Sequence, residues 1–428
     1  MLEIKFKQLL KNDRTYSINL ESVLNFIIIT YTLLWQVIEI AFILNNKFRK
    51  TFEDKHLLVQ EKVIPSQIME KKKIIFTATS NLENDQRVHK TALYFHEKGW
   101  QVKVIGSQNV QCNPNYQQPY QTQRINVLFK KSFLFYAEFN IRLFFLLLFS
   151  SADRIWANDT DTTLASFLAS KLKRVQYTQD LHELFPEVPE VTNRKFVKAI
   201  WTKIEDWIFP HIKDGYTVCQ SIADYYKKRY NLNLKVLRNV PYFRPYKGKQ
   251  KEFSSFKDKK IILYQGAVNE GRGIEWIIDA MPFINNAIFV IIGGGDIENE
   301  IRKRIAEKGV ENKVVMMGRI PFSELEKYTL SADLGVCLLK EKGLSYYYSL
   351  PNRIFDFMHA HVPILATQFP EIEKIVVNYR TGRVINYYEP QYLAQQINDM
   401  LAMDINHEDF ENASQLFNWE KECQNSLK

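Results

Sequence analysis

From Lys73 onward the chain alternates short apolar runs with amphipathic stretches of helical period, and after residue 260 the alternation starts again. No other feature limits the fold as tightly. Residues 73–78 (KIIFTA), 101–107 (QVKVIGS), 154–159 (RIWAND) and 174–180 (RVQYTQD) read as strands. After the first of them Val88, Ala92 and Phe95 recur at i, i+4 and i+7 on one helical face, and Gly99 closes that helix. The second series reads as strands at 260–266, 287–294, 313–318, 334–339 and 362–367. Helices are expected around 274–281, 298–308, 323–331, 352–360 and 370–377. Apolar strands separated by helices predict parallel sheets covered on both faces. A length of 428 residues leaves room for two such domains and an extension. The expected partition is an extension with an apolar helix over 1–70, a first doubly wound domain over 71–248 and a second over 249–415. The polar, lysine-rich stretch 246–260 marks the joint between the domains. In this α/β class, ligands bind in the crevice at the C-terminal ends of the strands.

Charge narrows the partners. The net charge is +9 and the pI near 9.0, which suits nucleic acid, anionic lipid or a nucleotide diphosphate. The basic residues are dispersed apart from Lys71–Lys73, and no nucleic-acid-binding signature accompanies them, so nucleic acid is not expected as a partner. Cys112, Cys219, Cys337 and Cys423 stand far apart with no CxxC or Cys/His cluster, which argues against structural zinc and against a disulfide framework. No small-residue cleavage site follows the N-terminal apolar stretch, so no signal peptide is expected.

Residues 23–44 are apolar enough and long enough to cross a hydrocarbon core of ~30 Å. Glu39 within them would cost ~3 kcal/mol near the centre of a span. Basic residues on both flanks give no orientation. A single span, an interfacial helix and an oligomerising helix stay open, with attachment to the cytoplasmic face of a membrane expected in some form. A second apolar run, 133–149, carries Glu138 and Arg142 and is expected to be a core helix, the alternative being a helix that dips into lipid.

The chemistry concentrates in 343–360 (GLSYYYSLPNRIFDFMHA). Ser349 is placed to cap a helix whose first turn holds Pro351, with Arg353 following. Unpaired N–H groups at a helix start bind phosphate, and a guanidinium adds charge-assisted hydrogen bonds. Asp356, one turn on, can accept hydrogen bonds from ribose hydroxyls. An ordinary capped helix would look the same in isolation.

The segment Ser349-Leu350-Pro351-Asn352-Arg353-Ile354-Phe355-Asp356-Phe357-Met358, followed by Val362-Pro363, resembles the donor site of family 4 glycosyltransferases of the GT-B fold. Other segments in order resemble the same family. Tyr264-Gln265-Gly266 with Gly271-Arg272-Gly273 is similar to its phosphate-binding loop, Ile292–Gly295 to its glycine-rich turn, and Gly318-Arg319-Ile320-Pro321 to the loop around the base. Phe369-Pro370-Glu371 stands where the family places an acid near the sugar. In the first half, segments 84–90, 157–162, 180–185 and 238–241 are similar to recurring family segments, and 417–420 to a final helix that crosses back onto the first domain, here about 416–428.

The resemblance implies a GT-B architecture of two Rossmann-like domains with an inter-domain cleft. It implies a retaining, metal-independent hexosyl transfer from a UDP- or GDP-sugar to a glycan or lipid-linked acceptor in cell-surface polysaccharide synthesis. The nucleotide sugar would be the substrate, with no cofactor. Charge growing on the leaving diphosphate would be met by Arg272, Arg353 and the helix start at Ser349–Arg353, with His182 near the reacting carbon. The expected donor site comprises Gly266, Arg272, Gly294, Arg319, Ser349, Leu350, Pro351, Asn352, Arg353, Asp356 and Glu371. Asp85, Arg87, Asp159, Asp180 and Glu183 fall on the acceptor side, although Asp85 equally suits a plain helix cap. Asp159-Thr160-Asp161 spells a D-x-D pattern but lies in the acceptor-side domain. The sequence departs from the family where Tyr348 takes the first position of a usual Glu pair, and where His361 replaces a glycine. Two alternatives stay open: a degenerate scaffold subunit of a membrane assembly, and a nucleotide-sugar 2-epimerase, whose paired acids are not evident.

Overall fold

The computed structural model describes residues 71–427 apart from 84, 109–115 and 257; the apolar segment 23–44 lies outside the described residues. Residues 71–428 form one compact unit containing two fully parallel sheets. The first has the order β3-β2-β1-β4-β5-β6-β7, and the second β10-β9-β8-β11-β12-β13. Its strands are β1 (Lys73–Thr77), β2 (Gln101–Ser107), β3 (Gln121–Ile125), β4 (Arg154–Asn158), β5 (Gln176–Leu181), β6 (Gly215–Thr217) and β7 (Lys235–Val236). The second sheet holds β8 (Lys260–Gln265), β9 (Ala287–Ile292), β10 (Val314–Gly318), β11 (Leu334–Cys337), β12 (Ile364–Thr367) and β13 (Gly382–Ile385). In each sheet the strand order reverses beside the first strand, between β1 and β4 and between β8 and β11. Such a reversal opens a crevice at the C-terminal strand ends.

The central strands are apolar on both faces because both are covered. In β8, Ile261 and Leu263 enter one core while Ile262 and Tyr264 enter another. In β1, Ile74 and Phe76 face one side and Ile75 the other. One of these cores is continuous between the halves, running from Phe76 and Trp156 to Leu263, Phe355 and Trp419.

The Ser132–Phe149 helix is, among the described residues, the one long and apolar enough to cross a membrane. Here Phe135, Phe139, Leu143 and Leu147 turn one stripe into the core over Ile75, Ile105 and Ile155. Their spacing of four residues covers one helical face, so the helix shields the sheet.

The Trp419–Ser426 helix packs on the first half. Trp419 N–H donates to Pro241 O at 2.8 Å and Glu422 pairs with Arg238 at 2.9 Å. The Lys90 ammonium lies 5.0 Å from the Trp419 ring centre and donates to Val240 O at 2.6 Å. The chain therefore crosses between halves twice.

Candidate functional site

Loops leaving the C-terminal strand ends of both halves meet around a cavity of about 500 Å³. Asp85, Arg87, His182, Glu183 and Asn239 line it from the first half. Arg272, Tyr346 and the turn Ser349–Asn352 line it from the second. Parallel strands place every one of these loops on the same edge of its sheet, which is why residues more than 250 positions apart converge.

On the first wall each charge has a partner. Arg87 is buried and grips Asp180 with two bonds, Nε to Oδ2 at 3.0 Å and Nη2 to Oδ1 at 2.5 Å, while Nη1 donates to Leu237 O at 2.5 Å. Asp180 is wholly buried. Burial alone would raise its carboxyl, but Arg87 and His182 overcome this and hold it far below the usual range. His182 stands between two carboxylates, with Nδ1 3.1 Å from Asp159 and Nε2 3.4 Å from Asp180. Its backbone N–H donates to Asp159 Oδ1 at 2.8 Å. Burial would lower the imidazole; the two carboxylates outweigh that and raise it to about 10. At neutral pH the ring is therefore an imidazolium, a donor and not a base. Its buried Nε2 makes no hydrogen bond.

Asp85 accepts from Val88 N–H at 3.2 Å and from the Ser80 hydroxyl at 2.9 Å, so it caps the Gln86–Glu97 helix at the rim of the cavity. Of the D-x-D pattern, Asp159 faces His182. Asp161 accepts from Thr79 Oγ1 at 2.5 Å, its carboxyl pushed up by burial and by Asp159.

The second wall is different. Arg272 sits in the loop after β8, its guanidinium 4.9 Å from the centre of the Tyr346 ring. No carboxylate pairs with it among the described residues, and its buried Nε lacks a hydrogen-bond partner. The turn after β11 corrects one expectation. The helix begins at Arg353 with Asn352 as its cap residue, and Ser349 Oγ donates instead to Tyr346 O at 2.7 Å. Pro351 has no N–H and a fixed φ, so the chain turns there before the helix starts, with Ile354 N–H donating to Pro351 O at 3.1 Å.

Six expected donor-site residues do not line the cavity. Arg353 is buried behind it, donating from Nη1 to Gln265 O at 2.9 Å, its guanidinium 4.6 Å from the Tyr264 ring centre. Gly266 lies against that guanidinium, as a Cβ there would stand 3.2 Å from Nη1. Asp356 accepts from Gln265 Nε2 at 2.9 Å, and burial pushes its carboxyl up to about 6. Gly294 and Arg319 lie side by side at the ends of β9 and β10, a Cβ on Gly294 falling 2.8 Å from Arg319 Nε. Glu371 reaches across to the first half and accepts from Ser221 N–H at 3.1 Å and Ser221 Oγ at 2.6 Å. Just past the end of β9 the backbone admits only glycine at 293, where φ is +145° and a Cβ would stand 1.8 Å from Gly266 O.

Two sites of interest escaped the sequence reading. Asn239 lines the cavity with a buried, unpartnered Oδ1. Tyr346 lies in an aromatic run with no distinguishing signal. Tyr348, which had one, is not among the lining residues, and its carbonyl accepts from Cys219 Sγ at 3.2 Å.

Two reversed parallel sheets facing one cleft decide the architecture. The fold is GT-B. Among solved structures, the chain is similar to sucrose-phosphate synthase from Thermosynechococcus elongatus, with a TM-score of 0.68 at 17% identity over 83% of this chain and 97% of that one. It is also similar to the Anabaena protein HepE in complex with UDP and glucose, with a TM-score of 0.62 at 14% identity over 82% and 97% of the two chains. Residues 247–417, the second GT-B half, match the family model described as glycosyl transferases group 1. Over 148 residues the chain is 28% identical to an uncharacterized glycosyltransferase of Methanocaldococcus jannaschii, covering 34% of this chain and 36% of that protein. The chain thus spans about a third of the length of that relative. Together these findings show the GT-B fold and a second half similar to the glycosyl transferases group 1 model.

Proposed function

We propose that the chain is a retaining glycosyltransferase of the family 4 type, moving a hexosyl group from a UDP- or GDP-sugar to a glycan or lipid-linked acceptor. The observation that carries this reading is the cavity itself, which joins an arginine without an acidic partner, Arg272, to the turn Ser349–Asn352 and to the imidazolium of His182. The complex of the similar Anabaena protein with UDP and glucose supports a nucleotide-sugar donor.

In the reaction the bond from the anomeric carbon to the diphosphate oxygen breaks, and its electron pair leaves on that oxygen. Arg272 stabilises the charge that grows there. The acceptor hydroxyl attacks from the same face and gives its proton to the departing phosphate. His182, already protonated, donates a hydrogen bond to a substrate oxygen and orients it. Attachment to the cytoplasmic face of a membrane through residues 23–44 belongs to the same reading, in cell-surface polysaccharide synthesis. Deleting residues 1–50 is expected to release the protein from a membrane fraction, and retention there would remove that part of the proposal.

One observation favours a second reading. No carboxylate from the second half lines the cavity: Asp356 is engaged by Gln265, and Glu371 by Ser221. A scaffold subunit that binds donor without turnover would fit that wall. Incubating the protein with UDP- and GDP-sugars, with and without a membrane extract, and following release of UDP or GDP separates the two. Release supports the transferase, and donor binding without release supports the scaffold. Absence of both binding and release would defeat the site assignment.

A further inference from the structure

An arginine that must meet a diphosphate needs to be held still without being neutralised. The usual way to fix a guanidinium is a carboxylate, which cancels its charge. The second wall of the cavity is built to avoid this. The acids nearest to Arg272 in sequence are Glu270 and Glu275, and each is taken by a lysine from the segment after β11. Lys342 pairs with Glu270, and Lys340 with Glu275 at 3.1 Å. Arg272 is left with the face of Tyr346, 4.9 Å from guanidinium carbon to ring centre. The ring is itself 8% exposed and seated against Gly271, where a Cβ would come 3.1 Å from its Cε2. Gly271 has φ +84°, so the loop takes a left-handed turn that both suits glycine and brings the ring close.

We propose that Tyr346 is the positioning residue for Arg272, holding the guanidinium over the cavity by its ring face so that the whole positive charge stays available to a nucleotide diphosphate. The inference rests on the transferase reading for the identity of the ligand. An aromatic quadrupole attracts a cation but carries no net charge, so the fixed arginine keeps its pull on an anion. Lys340 and Lys342 are part of the device, because they hold the two neighbouring acids away.

The test is the affinity of the full chain for UDP and GDP, measured by titration calorimetry on wild type, Tyr346→Phe, Tyr346→Leu, Tyr346→Met and Tyr346→Glu, with thermal midpoints as a control for folding. Phenylalanine keeps the ring face, so affinity should stay within about twofold of wild type. Leucine and methionine fill the space without the quadrupole and should weaken binding about three- to tenfold. Glutamate would fix the guanidinium again but cancel its charge, and should weaken binding further than leucine. If one aliphatic variant fails to fold, the other carries the comparison. Wild-type affinity in Leu or Met overturns the inference, as does a loss in Phe equal to that in Leu. Wild-type affinity in Arg272→Ala, or no nucleotide binding by wild type, overturns the underlying site reading instead.

Discussion

The two walls of the cleft handle charge in opposite ways. On the first, Arg87, Asp180, His182 and Asp159 form a continuous chain of pairs, and Asp180 is fully buried. On the second, Arg272 faces an aromatic ring, and the nearby acids are paired with lysines. A paired, buried network contributes to holding the fold, since breaking it strands a charge in a medium that cannot solvate it. An unpaired cation adds little to stability and keeps its charge for a ligand. The first wall is therefore the rigid reference against which the second binds.

The sharpest break in that comparison is Asp180→Ala. Arg87 would lose two bonds and stay buried and charged, so unfolding free energy should fall by ~3–5 kcal/mol. Urea denaturation measures this directly. A loss under ~1 kcal/mol, the range of an exposed pair, would mean that the first wall does not hold the fold.

Arg272→Ala should show the reverse pattern. Its stability should fall by at most ~1 kcal/mol, the worth of its contact with the Tyr346 ring. Nucleotide diphosphate affinity should drop by ~1.5–3 kcal/mol, the worth of hydrogen bonds to a charged group. A variant that unfolds readily but binds normally would exchange the roles of the two walls.

What the sequence made legible follows the same division between apolar pattern and long-range pairing. The central strands β1, β4, β8 and β9 are dense apolar runs, because each is buried on both faces, and they were readable as strands. β3 was not: Gln121–Ile125 (QTQRI) is an edge strand with only Ile125 buried, so nothing apolar marks it. β6 and β7 are three and two residues long, shorter than any periodicity can show. In the site, Arg272 and Ser349–Asn352 stood out because their segments follow a recurring pattern, and His182 because acids flank it. Tyr346 and Asn239 did not, since their roles come from a ring face and an orphaned oxygen that exist only after folding. Glu371 could be placed near the second sheet, but its partner Ser221 lies 150 residues earlier.

A third prediction sharpens the first wall by pH. His182 holds its proton to about pH 10 in the folded chain, against 6.5 as its ordinary value. Its pairing with Asp159 and Asp180 therefore contributes stability that is complete below pH 6.5 and is lost as the pH rises through 10. Wild type should therefore lose more stability than His182→Gln across that window. Parallel stability curves for the two proteins from pH 6.5 to 10 would show that the imidazole is not held protonated. Asp180 acts in the opposite direction: its depressed carboxyl contributes stability above the ordinary 3.8 that is lost on acidification.

The smallest expected effect tests whether Glu371 belongs to the walls or to the frame that joins them. Its Oε1 accepts from both Ser221 N–H and Ser221 Oγ at the first turn of the Gln220–Tyr230 helix, and Lys374 stands 3.0 Å from the same oxygen. An acid there favours the helix start and fastens the second half to the first. Glu371→Gln keeps an oxygen acceptor and removes the charge, so stability should fall by only ~0.5–1 kcal/mol. If the side chain is a strut alone, donor affinity and turnover should change little in this variant. If it turns into the cleft to meet the sugar, turnover should fall well beyond what the loss of stability explains, with the thermal midpoint nearly unchanged. That result would move Glu371 from the frame to the second wall and give that wall the carboxylate it lacks.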